Sequence, residues 1–143
     1  MQGALRPDVQ LLLHSGKDEH ERNCRILNRM TEGVFYPGPD NTVRHFASLI
    51  SFCDVLVSGD NLAMHIALAL GRRVVVMFGP TSAPEIDLFH LGRKVLPDMS
   101  CLGCYKAACD FNPNSMQLIS SDMVYEAVVA ELDRSVKQDA LGL

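Results

Sequence analysis

The chain has 143 residues, 48% of them hydrophobic, which is enough for one soluble domain with a real core. A net charge of −4 without a basic stripe argues against nucleic acid or an anionic membrane surface as the main partner, and no apolar run approaches the roughly 20 residues that span a bilayer. The N-terminus lacks the basic and apolar regions of a signal peptide, so a cytoplasmic location is expected, where the five cysteines would be reduced thiols or metal ligands rather than a disulfide framework.

In chain order, Met1 to Pro7 reads as the tail of a helix closed by proline, and Val9 to Leu13 as a continuous apolar strand. His14-Ser15-Gly16-Lys17-Asp18-Glu19 turns into a helix with Cys24, Ile26, Leu27 and Met30 on one face. Asp18 and Glu19 fall in its first turn. There a carboxylate complements the helix dipole; the functional alternative is a carboxylate that accepts hydrogen bonds from ribose hydroxyls. Val34-Phe35-Tyr36 makes a short strand, and Pro37 to Asn41 a turn-forming loop. Thr42 can cap the next helix, whose apolar face is Val43, Phe46, Leu49, Ile50 and Cys53.

The most informative stretch runs from Asp54 to Gly79. Val55 to Val57 and Val74 to Phe78 are apolar runs without alternation, the pattern of strands buried on both faces. Between them Met64, Ala67 and Leu68 recur at helical spacing, Gly71 stops the helix, and Arg72 and Arg73 suit its C-terminus. The result is a βαβ unit, with Asp60, Asn61 and His65 just past the carboxyl end of its first strand, where the next helix points its N–H groups at a ligand. The plainer reading makes Asp60 or Asn61 an N-cap and His65 a core or surface histidine. Company favours the ligand reading. The second strand ends at Gly79-Pro80-Thr81-Ser82, and Ser82-Ala83-Pro84-Glu85 fits a capping box with an early proline.

A helix around Glu85 to Leu91 ended by Gly92 is expected next, then a strand Lys94-Val95-Leu96 closed by Pro97. Ser120 or Ser121 caps a last helix with Met123, Val124, Ala127, Val128, Ala130 and Leu132 on a broad apolar face. Strands alternating with helices imply a doubly wound parallel sheet of Rossmann-like α/β class. One loop lies outside that plan. Cys101, Cys104 and Cys109 offer half of a structural zinc site, with Asp110 or His90 as a possible fourth ligand and Ser115 where a fourth thiol would complete the spacing; free thiols packing a loop are the favoured reading, and no metal is favoured.

Gly59-Asp60-Asn61-Leu62-Ala63-Met64-His65-Ile66-Ala67, Phe78-Gly79-Pro80-Thr81, Cys101-x-x-Cys104-Tyr105, Cys109-Asp110 and Asn114-Ser115-Met116 together resemble the C-terminal half of the family 9 glycosyltransferases, the lipopolysaccharide heptosyltransferases and their relatives. The resemblance runs from about Val9 to the final helix. It implies the donor half of a GT-B enzyme, in which two Rossmann-like domains face a cleft. The reaction would transfer a sugar from a nucleotide-diphosphate sugar, ADP-heptose or similar, to a lipopolysaccharide-type glycan, inverting the anomeric centre without metal or other cofactor. By matching position, Asp60 would contact the donor sugar, Asn61 and Leu62 would offer backbone N–H groups near the diphosphate, and His65 would complete the motif. Glu19 would hold the ribose, and Gly79, Pro80 and Thr81 would form the second loop. Asn61 and Leu62 replace a common Ser or Thr then Gly, and Ser115 replaces a frequent cysteine.

The resemblance further implies that residues 1–143 form a single nucleotide-sugar-binding domain, with a helix remnant at 1–8, the cysteine-containing loop at 98–116 and a frayed tail at 137–143. Its first strand and the lysine-bearing loop after it are expected to be missing, as is the N-terminal domain with the acceptor site and the catalytic carboxylate, so no catalytic residue is expected in this chain. In the usual order that strand is central, and its loss would leave free sheet edges or a closed gap. The complete enzyme would be peripheral to the inner membrane. The alternatives are a non-catalytic nucleotide-binding module, an inactive remnant that needs a separate partner domain, and an unrelated Rossmann-like binder.

Overall fold

The computed structural model describes residues 8–30 and 33–141, with side chains described as far as Val136. The helix tail expected at Met1–Pro7 lies outside the described residues. The chain divides into two compact units between Phe46 and Ala47.

In the first unit β1 (Leu11–Leu12) and β2 (Val34–Phe35) pair in parallel, Leu11 opposite Val34 and Leu12 opposite Phe35. The ladder is shorter than the apolar run Val9–Leu13, but extended backbone continues beside it, with Leu13 N–H donating to the Phe35 carbonyl at 2.9 Å. After β1 a 3-10 turn at Lys17–Glu19 leads into α1 (His20–Leu27). Asn23 is the buried residue of that helix, whereas Ile26, expected on its inner face, is 39% exposed. Thr42 Oγ1 accepts the His45 N–H at 3.2 Å, the expected cap of α2 (Val43–Ile50). Val43 is 63% exposed, since the first turn of α2 lies beyond what the unit covers, and burial begins with Phe46. The His14 ring lies 4.2 Å from that of Phe46, and burial together with the neighbouring His45 lowers the His14 pKa.

The second unit holds a parallel sheet in the order β3-β4-β5, formed by β3 (Val55–Gly59), β4 (Arg73–Met77) and β5 (Gly92–Val95). Val74, Val75 and Val76 are each 0% exposed. Since successive strand residues face opposite sides, both faces of β4 are covered. The helices that contact it are α3 (Leu62–Ala69) and α4 (Ser121–Leu141). Behind α3, Gly71 has φ +67°, Arg72 N–H donates to the Ala67 carbonyl at 2.8 Å and Gly71 N–H to that of Leu68 at 3.0 Å, a Schellman stop that needs the left-handed glycine. Ser120 Oγ accepts the Met123 N–H at 3.2 Å and caps α4.

Three expectations change. All strands are parallel, but they form two sheets rather than one. For that reason β3 is not buried on both faces: among the described strands only β4 bonds to it, and Val57 is 42% exposed. The helix expected from Glu85 to Leu91 reduces to a 3-10 turn at Ala83–Glu85, and β5 begins earlier, at Gly92. Phe89 and His90 have φ of +50° and +62°, so the chain here makes a tight turn, closed by Leu91 N–H on the Leu88 carbonyl at 2.7 Å.

Arg73 is also placed differently from the reading at the end of α3. It opens β4 and donates from Nη1 to the Glu131 carboxylate of α4 at 2.6 Å, with Arg93 Nε of β5 on the other oxygen at 2.8 Å. Glu131 is 0% exposed. This pair of charged bonds fixes the register of α4 against β4 and β5, because a buried carboxylate is tolerated only where its oxygens are matched by donors.

Candidate functional site

The pairing of Gly59 with Met77 brings the carboxyl ends of β3 and β4 side by side. Two loops therefore leave the sheet together, Asp60–Asn61 and Gly79–Ser82. In open parallel sheets this end is where ligands bind.

The first loop is held by its own neighbours. Asn61 Oδ1 accepts the Ala63 N–H at 2.9 Å and the Ser58 hydroxyl at 2.9 Å, which makes Asn61 the N-cap of α3. The cap uses one of the four N–H groups that a helix start leaves without an internal partner; Leu62 N–H stands beside it. Leu62 is 56% exposed and His65, one turn on, is exposed as well. Asp60 is half-buried, and no hydrogen bond or ion pair engages its carboxylate among the described residues. The N-cap and the polar candidate are thus different residues, Asn61 and Asp60.

The second loop is held from a distance. Gly103 N–H donates to the Gly79 carbonyl at 3.2 Å and Tyr105 N–H to the Pro80 carbonyl at 2.7 Å. The Tyr105 hydroxyl donates to Glu85 Oε2 at 2.8 Å and accepts the Ser82 N–H at 3.3 Å. Lys94 Nζ donates to the Ala83 carbonyl at 2.6 Å and also to that of Ile86. On the other side Gly79 is tightly flanked: a Cβ would lie 2.7 Å from Ser115 Oγ and 2.9 Å from Met116 Sδ, so those side chains would have to shift to admit one. The capping box expected at Ser82 does not form, because Glu85 is drawn to Tyr105 and the Ser82 amide is taken by the same hydroxyl. Nor does a helix N-terminus form there, since the turn is only Ala83–Glu85.

Of the residues named from the sequence, Asp60, Asn61, Leu62 and His65 are together on the first loop and α3, and Gly79, Pro80 and Thr81 are together on the second. Glu19 belongs to the other unit, after β1. There one of its carboxylate oxygens accepts the Gly16 N–H at 2.9 Å, closing the turn before α1. Nearby Tyr36 OH lies 2.9 Å from His20 Nδ1 and 3.4 Å from Ser15 Oγ, at the carboxyl ends of β2 and β1. Lys17 and Asp40 pair at 2.9 Å in full solvent, which raises the one pKa and lowers the other.

Cys101 is half-buried and Cys104 and Cys109 are exposed, all as free thiols. Among the described residues no group of three or more His, Cys, Asp or Glu is placed to hold a metal ion. Asp110 pairs instead with Lys106 at 2.5 Å. Burial and the nearby Asp54 raise the Cys53 pKa, so that thiol, on the Leu49 carbonyl at 3.6 Å, packs as an inert neutral group. The contacts missed from sequence are those of Tyr105, Glu85, Ser115 and Met116 with the second loop. Their partners lie far off in the chain, and the one visible sign was a tyrosine directly after Cys-x-x-Cys.

Residues 5–113 match the family description "glycosyltransferase family 9 (heptosyltransferase)", and the chain belongs to that family. It is similar to two lipooligosaccharide heptosyltransferases 2 of Campylobacter jejuni subsp. jejuni. That of serotype O:6 is 25% identical over 129 residues, which is 87% of this chain and 40% of the relative; that of serotype O:2 is 24% identical over 136 residues, 92% and 42%. The chain thus spans about two fifths of the relatives' length. Among solved structures, E. coli ADP-heptose LPS heptosyltransferase II superposes with a TM-score of 0.65 at 23% identity over 92% of this chain and 37% of that one. The likeness shows a shared fold, parallel strands with flanking helices. Among the described residues no helix is long and apolar enough to cross a membrane.

Proposed function

We propose that this chain is the donor-binding part of an inverting, metal-independent glycosyltransferase. Its donor is a nucleotide-diphosphate sugar, ADP-heptose or a close analogue, and its acceptor a lipopolysaccharide-type glycan bound by chain beyond this segment. The similar proteins carry heptosyltransferase names, which supports the sugar and the acceptor class. The observation that carries the reading is Asp60. A half-buried carboxylate without a described partner sits on the first of two adjacent strand-end loops, beside a capped helix start.

Chemically the parts divide by charge. Leu62 N–H and the positive end of α3 suit the diphosphate, and their positive potential would stabilise charge growing on the leaving group. Asp60 faces the sugar hydroxyls instead, because a carboxylate and a diphosphate repel. His65, exposed on the same helix, lies toward the same ligand, and the Gly79–Thr81 loop bounds it on the β4 side. Catalysis would consist of positioning and charge stabilisation, with the base supplied by the acceptor half. We place the complete enzyme in the cytoplasm, peripheral to the inner membrane.

The test is calorimetric titration of the folded chain with ADP-sugar and UDP-sugar donors. Saturable binding of an ADP-sugar, weakened in Asp60→Ala with an unchanged circular dichroism spectrum, is expected. A folded chain that binds neither donor would overturn the reading. Binding without transfer after the acceptor half is added would leave a nucleotide-binding module instead.

A further inference from the structure

Tyr105 is one of only three non-glycine residues with positive φ among those described, at +55°. A bulky residue rarely adopts that conformation unless its surroundings impose it, and an observed outlier of this kind points toward function. The ring gives no packing reason, since Tyr105 is 60% exposed. What the conformation achieves is a set of hydrogen bonds. Tyr105 N–H reaches the Pro80 carbonyl at 2.7 Å while the hydroxyl, at the far end of the same residue, spans from the Ser82 N–H at 3.3 Å to Glu85 Oε2 at 2.8 Å. Gly103, with φ +71°, adds its N–H to the Gly79 carbonyl at 3.2 Å, and a Cβ placed on it would lie 3.5 Å from Ser82 Cα.

One residue of the cysteine loop thus holds the segment from Pro80 to Glu85 at three points. Thr81, between the held residues, takes no part in these bonds. We propose that Tyr105 is the positioning residue of the donor site: it holds the Gly79–Ser82 loop in the conformation that turns Thr81 toward the ligand beside Asp60. The ligand part of this inference rests on the function proposed above. The one hydroxyl both donates to the Glu85 carboxylate and accepts from the Ser82 amide. The cysteine loop is then a clamp on the donor site.

Two readouts separate this inference from the donor reading. Amide hydrogen exchange of the full chain without ligand reports the clamp itself. Tyr105→Phe keeps the ring and loses both hydroxyl bonds, and exchange at Ser82 is expected to quicken about tenfold while the β4 amides stay protected. Glu85→Ala should do the same in lesser degree, and Glu85→Gln, which still accepts from the phenol, should largely restore protection. Donor affinity, where the unaltered chain binds an ADP-sugar, should fall severalfold in Tyr105→Phe with no change in the unfolding midpoint of the sheet. Unchanged Ser82 exchange in both Tyr105→Phe and Glu85→Ala would overturn the clamp. Faster exchange with unaltered affinity would overturn its role at the site. A chain that binds no donor at all would defeat the donor reading and leave the exchange result to decide the clamp alone.

Discussion

The two loops at the carboxyl ends of β3 and β4 are adjacent in space and held by opposite means. The Asp60 loop is secured by residues next to it in the chain, Ser58, Asn61 and Ala63. The Gly79 loop is secured by Gly103 and Tyr105, and the turn that follows it by Lys94, all outside the loop's own stretch of sequence. A local cap forms as soon as the helix does. A loop gripped by remote segments depends on the whole second unit being in register, and that register rests on α4 and the buried Glu131.

The two loops should therefore fail in different ways. The largest effect is expected from Asp60→Ala, which under the proposed function removes charged hydrogen bonds to the sugar. Donor affinity should fall about 10- to 100-fold, as expected for the loss of about 1.5 to 3 kcal/mol, with no loss of stability in a urea titration. Gly79→Ala acts on the other loop and should show in both measurements. Its Cβ meets Ser115 Oγ at 2.7 Å and Met116 Sδ at 2.9 Å, so overpacking should lower unfolding stability by about 1 to 3 kcal/mol and weaken donor binding with it. Ser115→Ala in the same chain should recover part of the loss, as coupled neighbours do. Asn61→Ala removes only the local cap and should cost about 1 kcal/mol, with Asn61→Asp close to neutral.

The smallest effect lies outside both loops and serves as a control. The His14 pKa is lowered from 6.5 in the folded chain, chiefly by burial, so the unfolded chain takes up the proton more readily. Its contribution to stability is full above pH 6.5 and is lost as the pH falls below that value. Urea titrations between pH 7.5 and 5.5 should show this slope, and His14→Phe should flatten it without touching donor affinity.

The same contrast explains what could be read from the sequence. The βαβ unit was legible from the Val55 and Val74 runs, and Asp60 and Asn61 from their place after a strand, because those signals are local. The glycine stop at Gly71 and the Thr42 and Ser120 caps were legible for the same reason. The helix expected at Glu85–Leu91 failed because Tyr105 and Lys94 claim the groups that would have capped and continued it. Arg73 was read as a helix-end charge because its partner, Glu131, lies on another element, and no window of sequence contains both. Val57 was expected inside because the burial of a strand depends on neighbours that its own residues do not reveal.

The most direct test of the account is a nitrogen-15 NMR titration of the full chain with an ADP-sugar, following the backbone amides of both loops. Leu62, Ala63, Thr81 and Ser82 are expected to shift together with one saturating curve, and the curve is expected to move to much higher ligand concentration in Asp60→Ala. Shifts confined to one loop, or a response unaltered by Asp60→Ala, would contradict a shared donor site at these two strand ends.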